Sequence, residues 1–186
     1  MSNITVTPIK ASLATQIEPP ETHFSVTDRA YASSTPIVLT IAGSDSSGGA
    51  GIQADIKAIS ATGGYACSVI TAITAQNTLG VSAIFPIPLE YVEKQLDAVF
   101  TDLNVVAVKV GMLAESGIIN LVAAKIKQYQ PAFLVVDPVM VATSGDLLLE
   151  VSAISTLKTE LLPLADIITP NLSEGAALIG VDTPDN

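Results

Sequence analysis

The chain is poor in the residue types on which several kinds of active site depend. Its 186 residues include one cysteine, one histidine and no tryptophan. A single cysteine excludes an internal disulfide and favours a reducing compartment such as the cytoplasm. Because His23 is the only histidine, the chain cannot build a histidine-based catalytic triad or a multi-histidine metal site. Cys67 lies in an apolar strand pattern, which predicts a buried small side chain rather than a reactive thiol.

Positive charge is scarce as well. Eight lysines and arginines stand against 18 aspartates and glutamates, which gives a net charge of −10. This balance disfavours nucleic acid and anionic membrane surfaces as partners. Hydrophobic residues make up 49% of the chain. However, glycine, proline or polar residues interrupt every apolar run before about 18 residues, so the sequence predicts no transmembrane helix.

The first 35 residues differ in composition from the rest. Serine, threonine, proline and scattered charges dominate there without hydrophobic periodicity, which predicts a disordered tail over residues 1–35. The tail has neither the apolar segment of a secretory peptide nor the arginine-rich, acid-poor composition of a mitochondrial presequence. We expect the folded domain to occupy residues 36–186.

Strand and helix patterns alternate from residue 36 onward. Apolar, β-branched runs predict strands at residues 37–42, 65–75, 81–87, 105–110, 132–136 and 166–169. Helical spacing predicts a helix after the glycine-rich stretch and further helices at residues 89–102, 115–129, 151–162 and 172–179. Apolar strands between helices indicate a mostly parallel sheet covered on both faces, so we predict an α/β fold with three layers, α/β/α.

A glycine-rich stretch at residues 43–55 joins the first predicted strand to the first predicted helix. It reads Gly-Ser-Asp-Ser-Ser-Gly-Gly-Ala-Gly-Ile-Gln-Ala-Asp. This composition predicts a loop that brings backbone N–H groups to a small ligand, and the alternative is a plain connecting turn. Ile52, Ile56 and Ile59 recur at helical spacing and predict a buried stripe. Asp55 lies at the edge of that stripe, from which its carboxylate could enter a pocket.

Two familiar phosphate-binding patterns fail in this stretch. Gly43 and Gly48 have the spacing of a Walker A loop, but Gly49 stands where that loop needs a lysine. Residues 49–54 fit a relaxed dinucleotide-binding pattern, which also needs an acidic residue about 20 positions later. Since residues 56–89 contain no acid, a dinucleotide-dependent oxidoreductase is disfavoured.

Four residues follow the carboxyl ends of predicted strands, where doubly wound sheets bind ligands: Gly43, Gln76, Met112 and Asp137. The Gln76 amide either offers a donor and an acceptor to a ligand or ties down the turn that follows it. Met112 either lines a pocket or fills the core. Asp137 precedes a proline, which aims its carboxylate out of the strand end, and it is either a magnesium ligand or a turn aspartate.

The stretch at residues 43–55 closely resembles the substrate loop of the hydroxymethylpyrimidine/phosphomethylpyrimidine kinases of thiamine biosynthesis, which belong to the ribokinase-like superfamily. The similarity covers about residues 36–186 and continues in blocks at residues 67–72, 75–78, 109–113, 137–140, 144–146 and 169–174. The resemblance implies a ribokinase-like fold. It also implies ATP-dependent phosphorylation of 4-amino-5-hydroxymethyl-2-methylpyrimidine and then of its monophosphate.

The resemblance also implies roles for particular residues. It places five residues in the substrate pocket: Gly43, Asp55, Gln76, Met112 and Val139. It further implies that Asp137 and Glu174 bind Mg²⁺ and that Asn171 supports the metal and the phosphates. On sequence alone, Asn171 and Glu174 predict a helix N-terminal capping box, and both roles can hold together. The full-length enzyme is expected to be a homodimer.

Members of the family carry a later Gly-Thr-Gly-Cys loop that stabilises the transferred phosphoryl group, and this sequence lacks it. We therefore expect the 186-residue chain alone to be nearly inactive, and to associate through an exposed sheet edge and apolar face. Thr183 and Pro184 have the pattern of a helix start, which indicates the N-terminal part of a longer domain, although a natural short form stays open. The alternative functions are a vitamin B6 kinase and a non-catalytic pyrimidine-binding module.

Overall fold

The computed structural model describes residues 35–140 and 151–181, with the side chain of Val151 excepted. Two expectations lie outside these residues: the sequence block at 144–146 and the helix start at Thr183 and Pro184. The disordered tail predicted over residues 1–35 also lies outside them, except for residue 35. All described residues belong to one unit of the chain, residues 34–186.

Six strands and five α-helices follow one another along the described residues. The strands are β1 (Ile37–Asp45), β2 (Tyr65–Asn77), β3 (Gly80–Pro86), β4 (Val105–Val110), β5 (Phe133–Val136) and β6 (Ile167–Ile168). The helices are α1 (Gly51–Ala61), α2 (Leu89–Asp102), α3 (Ser116–Tyr129), α4 (Val151–Thr156) and α5 (Leu172–Ile179). A π-turn at Leu157–Leu161 and a 3₁₀ turn at Leu162–Leu164 follow α4.

The strands form one sheet in the order β3-β2-β1-β4-β5-β6. Every neighbouring pair is parallel except β2 and β3, which form an antiparallel hairpin. The predicted α/β class with a mostly parallel sheet is therefore confirmed. After β1 the chain first builds β2 on one side and later places β4 on the other. The carboxyl ends of β1 and β4 consequently flank the switch point at which such sheets form a ligand crevice.

The two faces of the sheet are packed differently. Leu39 and Ile41 of β1 belong to the main apolar cluster, together with buried residues of α2 and α3 such as Leu96 and Ile119. Successive strand residues point to opposite faces, and Thr40 accordingly points to the other face, where it contacts α1. Helix α1 packs against β1 and β2. Its position brings polar groups of the helix over the centre of the sheet.

The largest departures from the predicted boundaries have local causes. Strand β1 continues past the predicted residue 42 to Asp45, through an irregularity in its pairing with β2 between Ala42 and Ser44. The helix predicted over residues 151–162 is α-helical only to Thr156. The π-turn that follows ends before Pro163, whose missing N–H and restriction on the preceding residue end regular helix.

Two smaller expectations are only partly met. Ile52 is buried as predicted, whereas Ile56 and Ile59 are half-buried. Cys67 is also half-buried rather than fully enclosed. Burial raises the pKa of its thiol, with a smaller opposing effect of a backbone hydrogen bond, so it matches the predicted inert side chain. In the described part of the chain, every helix is too short or too polar to cross a membrane.

Candidate functional site

A cavity of about 270 Å³ opens at the switch point between β1 and β4. Its size is near the lower end of small-molecule pockets, which suits a ligand with a single ring. All five residues expected in the substrate pocket line it, together with the expected metal ligand Asp137. The lining residues are Ala42, Gly43, Ser44, Asp45, Ala50, Gly51, Ala54, Asp55, Thr74, Gln76, Lys109, Gly111, Met112, Asp137 and Val139.

The glycine-rich loop does not present its N–H groups in the predicted way. The buried carboxylate of Asp45 accepts hydrogen bonds from the backbone N–H groups of Ser47, Gly49 and Ala50, at 2.8, 2.9 and 2.8 Å. The Ser47 hydroxyl also donates to it. Burial raises the pKa of Asp45, but these hydrogen bonds outweigh that effect and hold the pKa below its ordinary value. The loop thus binds its own carboxylate, and these three N–H groups are unavailable to a phosphate.

Glycine is required where the loop meets β1 and β4. Gly51 has φ +55°, and a Cβ on it would overlap the carbonyl oxygen of Gly43. A Cβ on Gly43 would in turn lie 3.1 Å from Sδ of Met112. These close approaches bring α1 down onto the strand ends and place Met112 in the cavity wall.

Polar groups on three elements meet at the cavity, with Asp55 and Lys109 in its lining and Thr40 buried behind them. Thr40 on β1 and Lys109 on β4 are register partners, so their side chains lie on the same face of the sheet. Both contact Oδ2 of Asp55 on α1: the Thr40 hydroxyl donates at 2.6 Å, and Nζ of Lys109 lies at 3.1 Å. Nζ of Lys109 is also 3.8 Å from Oδ2 of Asp137. Asp55 therefore lies in the lining of the cavity, as the helical pattern predicted.

The environment of Asp137 disfavours its negative charge. Burial is the largest effect and raises the pKa of its carboxyl. The nearby carboxylates of Glu174 and Asp55 raise it further, while Lys109 and a hydrogen bond with Thr169 lower it only in part. A carboxylate with an excess of negative charge around it is a place where a cation would be stabilised.

The Gln76 side chain lies in the cavity rather than in the turn. Its Oε1 lies 3.2 Å from the Thr74 hydroxyl oxygen, whose proton is donated to the Ser44 carbonyl oxygen at 2.6 Å. The turn that follows is held by Asn77, whose Oδ1 accepts from the backbone N–H groups of Leu79 and Gly80 at 2.8 and 3.2 Å. The alternative in which Gln76 ties down the turn is therefore wrong, and no described residue accepts a hydrogen bond from its Nε2.

The Asn171 and Glu174 pair forms the capping box that the sequence predicts. Oδ1 of Asn171 accepts from the N–H of Glu174, and Oε2 of Glu174 accepts from the N–H of Asn171, both at 2.9 Å. Oε1 of Glu174 faces the N–H of Met140 at 3.4 Å. Neither residue lines the cavity, although Glu174 is close enough to influence Asp137. The expected metal-binding role of both stays a prediction.

Three residues of the site were not predicted from the sequence. Lys109 is a lysine within the apolar run of β4, and Thr40 is a polar residue within the apolar run of β1; both interruptions were available signals. Asp45 begins an Asp-Ser-Ser-Gly segment, a pattern in which an aspartate commonly accepts from backbone N–H groups two or more residues later. In each case the functional meaning depends on a partner that the local sequence does not identify.

Comparisons with known proteins agree with this geometry. A family model described as phosphomethylpyrimidine kinase matches residues 45–186. The hydroxymethylpyrimidine/phosphomethylpyrimidine kinase of Escherichia coli K12 is 55% identical over 141 residues, which cover 76% of this chain and 53% of that protein. The chain spans about half the length of the curated bacterial kinases that it matches in this way.

Solved structures give the same relationship. The crystal structure of a phosphomethylpyrimidine kinase from Clostridium difficile 630 has a TM-score of 0.75 at 50% identity, and the match covers 81% of this chain and 65% of that one. The ADP complex of Bacillus subtilis pyridoxal kinase has a TM-score of 0.74 at 40% identity, covering 82% and 58%. The family match spans most of the chain, and on this evidence the chain belongs to the phosphomethylpyrimidine kinase family.

Proposed function

We propose that this chain forms the substrate-binding portion, and part of the magnesium site, of a thiamine-pathway pyrimidine kinase. The full enzyme would use ATP to phosphorylate the hydroxymethyl group of 4-amino-5-hydroxymethyl-2-methylpyrimidine and then the resulting monophosphate. The observation that carries the proposal is the convergence of Gly43, Asp55, Gln76, Met112 and Val139 on one small cavity. The names of the matching relatives support it.

The chemistry of the cavity suits a neutral, hydrogen-bonding ring. Asp55 offers a carboxylate acceptor and Gln76 an amide donor, while Met112 and Val139 supply apolar contact. An aminopyrimidine has N–H donors and ring-nitrogen acceptors on its edge and an apolar face. Since the N–H groups of Ser47, Gly49 and Ala50 are already bound to Asp45, these three groups do not hold a phosphate, and the cavity recognises the ring that both substrates share.

The residues present fit a magnesium ion at Asp137. Mg²⁺ prefers carboxylate oxygens, takes only one or two from the protein and keeps several waters. Asp137 is partly exposed in the cavity, and burial, followed by the nearby carboxylates of Glu174 and Asp55, disfavours its negative charge. Residues 35–140 and 151–181 contain no group of three or more acidic, histidine or cysteine side chains that could hold a metal ion. We propose that Asp137 binds the ion, while Asn171 and Glu174 order the neighbouring backbone and the Glu174 carboxylate adds negative charge. When bound, the ion would neutralise charge on the phosphates.

Calorimetric titration of the chain with the aminopyrimidine alcohol tests the proposal. We expect saturable binding that Gln76→Ala weakens about tenfold or more, because a lost hydrogen bond of about 1.4 kcal/mol changes affinity tenfold. Asn77→Ala is the matched control, since it removes a neighbouring amide that holds the turn. Absence of binding by the folded parent chain would contradict the proposal. So would equal loss in both variants.

A vitamin B6 kinase is the second candidate, because several structural neighbours are pyridoxal kinases with 33–40% identity. The same titration with pyridoxal separates the two candidates. Binding of pyridoxal in preference to the aminopyrimidine would favour the B6 kinase. Binding of the aminopyrimidine without phosphorylation by a longer natural form would instead favour a non-catalytic pyrimidine-binding module.

We also propose that the chain self-associates, as a homodimer in the full-length enzyme, in a reducing compartment such as the cytoplasm. Large apolar side chains are exposed on both outer strands, β3 and β6, in the hairpin turn and on the neighbouring strand β2: Ile84, Phe85, Ile167, Ile168, Leu79 and Ile73. Exposed apolar edges of this kind promote pairing between chains. Sedimentation analysis at micromolar concentration would test it, and a strictly monomeric chain would contradict the expectation.

A further inference from the structure

The two carboxylate oxygens of Asp55 are used in different ways. Oδ2 contacts both the Thr40 hydroxyl and the Lys109 ammonium group. Oδ1 accepts no hydrogen bond from any residue that the structure describes. The described residues contain no buried side-chain oxygen or nitrogen without a partner, so Oδ1 is open to solvent in the cavity that Asp55 lines. The protein therefore holds one oxygen of the carboxylate and leaves the other accessible to a ligand.

Thr40 is fixed in its role by burial. It is fully buried in the central strand β1, and a buried hydroxyl without a partner would cost free energy. Its partner is Oδ2 of Asp55 at 2.6 Å. Because Thr40 is β-branched and lies in a strand at the middle of the sheet, it has little rotamer freedom. It therefore holds Oδ2 at one place above the sheet.

Lys109 reaches the same oxygen from the neighbouring strand. Its ammonium group lies between Asp55 and Asp137, at 3.1 and 3.8 Å. Gly111 makes room for it, because a Cβ at that position would lie 3.0 Å from Nζ of Lys109 and 3.1 Å from Cβ of Ala42. The missing side chain at Gly111, just after β4, thus leaves the space that the Lys109 side chain occupies.

From this geometry we infer that Thr40 and Lys109 are positioning residues that hold Oδ2 of Asp55 and so direct Oδ1 to a hydrogen-bond donor of the bound substrate. The inference rests on the proposed function, since it concerns the same cavity. A carboxylate oxygen is only an acceptor, so the ligand group that faces it carries N–H or O–H. Lys109 offsets the charge of Asp55, which lets the carboxylate receive a neutral donor.

The test measures how three variants bind a ligand and two analogues. The variants are Thr40→Val, which keeps the shape but not the hydroxyl, Thr40→Ser, which keeps the hydroxyl, and Lys109→Met. The ligands are the aminopyrimidine alcohol, its analogue without the amino group, and its analogue without the hydroxyl. Lys127→Met is the control, since it removes an exposed lysine that pairs with Glu160 outside the cavity.

We expect Thr40→Val and Lys109→Met each to weaken binding of the aminopyrimidine alcohol about tenfold, and Thr40→Ser and Lys127→Met to bind like the parent. The tenfold loss should disappear with the one analogue that lacks the donor facing Asp55. An equal loss with all three ligands would indicate a purely structural role and overturn the inference, as would no loss at all.

Crystal structures of the ligand-free variants keep the two proposals distinguishable. If Thr40 and Lys109 position Asp55, its carboxylate turns away in Thr40→Val and in Lys109→Met. An unchanged Asp55 in both variants would overturn the inference whether or not the ligand binds. Failure of the parent chain to bind the aminopyrimidine would count against the proposed function alone, with the position of Asp55 still deciding the role of the two residues.

Discussion

Lys109 and Lys125 each contact two carboxylates, but they lie on opposite faces of the sheet and have different surroundings. Lys125 on α3 contacts both oxygens of Asp97 on α2, at 2.7 and 2.8 Å, and the Tyr129 hydroxyl adds a third hydrogen bond to Asp97. Lys109 contacts one oxygen of Asp55 at 3.1 Å and leaves the other open. Similar residue types thus form two clusters. In the closed cluster between the helices (Lys125, Asp97, Glu93 and Tyr129), both oxygens of Asp97 accept hydrogen bonds from the protein. In the open cluster in the cavity (Lys109, Asp55 and Asp137), one oxygen of Asp55 is left for a ligand.

The pKa shifts follow the same division. The hydrogen bond from Lys125, and then that from Tyr129, lowers the pKa of Asp97. The hydrogen bond with Asp97 raises the pKa of Lys125 against the opposing effect of its burial. In the cavity, burial raises the pKa of Asp137. The closed carboxylates stabilise the fold, whereas Asp137 is held in a costly charged state that a cation can relieve.

Asp45 extends the comparison, because it is a closed carboxylate located in the cavity loop. Asp45→Ala should lower the free energy of unfolding by about 3 kcal/mol, since three backbone N–H groups lose a charged acceptor in a buried place. Urea unfolding measures the change. Asp102→Ala, at an exposed position, should stay within about 0.5 kcal/mol of the parent. If Asp45→Ala changed the free energy of unfolding as little as Asp102→Ala does, Asp45 would not be a carboxylate that stabilises the fold.

Asp97→Ala tests the closed cluster between the helices. We expect a loss of about 1–2 kcal/mol at neutral pH, because Lys125 is only 7% exposed and keeps just its contact with Glu93. The 40% exposure of the Asp97 side chain keeps the loss in this range, since solvent screens its charge. The folded pKa of Asp97 is lowered, so its contribution exists above the ordinary aspartate pKa and is lost as the pH falls through the folded value. Glu93→Ala, which removes one exposed partner, should cost less than about 1 kcal/mol. Equal losses of stability in Asp97→Ala and Glu93→Ala would contradict the claim that Asp97 is the main partner of Lys125.

Asp137→Asn tests the open cluster and should change stability in the opposite direction. The folded pKa of Asp137 is raised, so the charged form is disfavoured by folding. The asparagine variant should therefore be more stable than the parent at neutral pH, by less than about 1 kcal/mol because the side chain is partly exposed. The gain should vanish below the ordinary aspartate pKa, where both folded and unfolded states are protonated. A loss of stability at pH 7 would show that Asp137 is a closed carboxylate.

The sequence predicted the sheet class, the elements and the cavity residues at the strand ends, because apolar periodicity and strand polarity determine them. It did not predict the contacts that give the cavity its chemistry. Lys109 and Asp55 are 54 residues apart and Thr40 and Asp55 are 15 apart, and their meeting depends on strand order and register. The prediction that the glycine-rich loop presents its N–H groups to a ligand failed at Ser47, Gly49 and Ala50 for a similar reason. The local sequence does not identify the acceptor to which these N–H groups bind.

The most direct test compares one open and one closed carboxylate in the same experiment. Asp55→Asn and Asp97→Asn are matched substitutions, and each protein is measured for its melting temperature and its calorimetric affinity for the aminopyrimidine alcohol. The account predicts that Asp55→Asn loses affinity with little change in melting temperature, whereas Asp97→Asn melts lower and binds like the parent. If both variants lose affinity and stability together, the division between carboxylates that maintain the fold and carboxylates that bind the substrate is wrong.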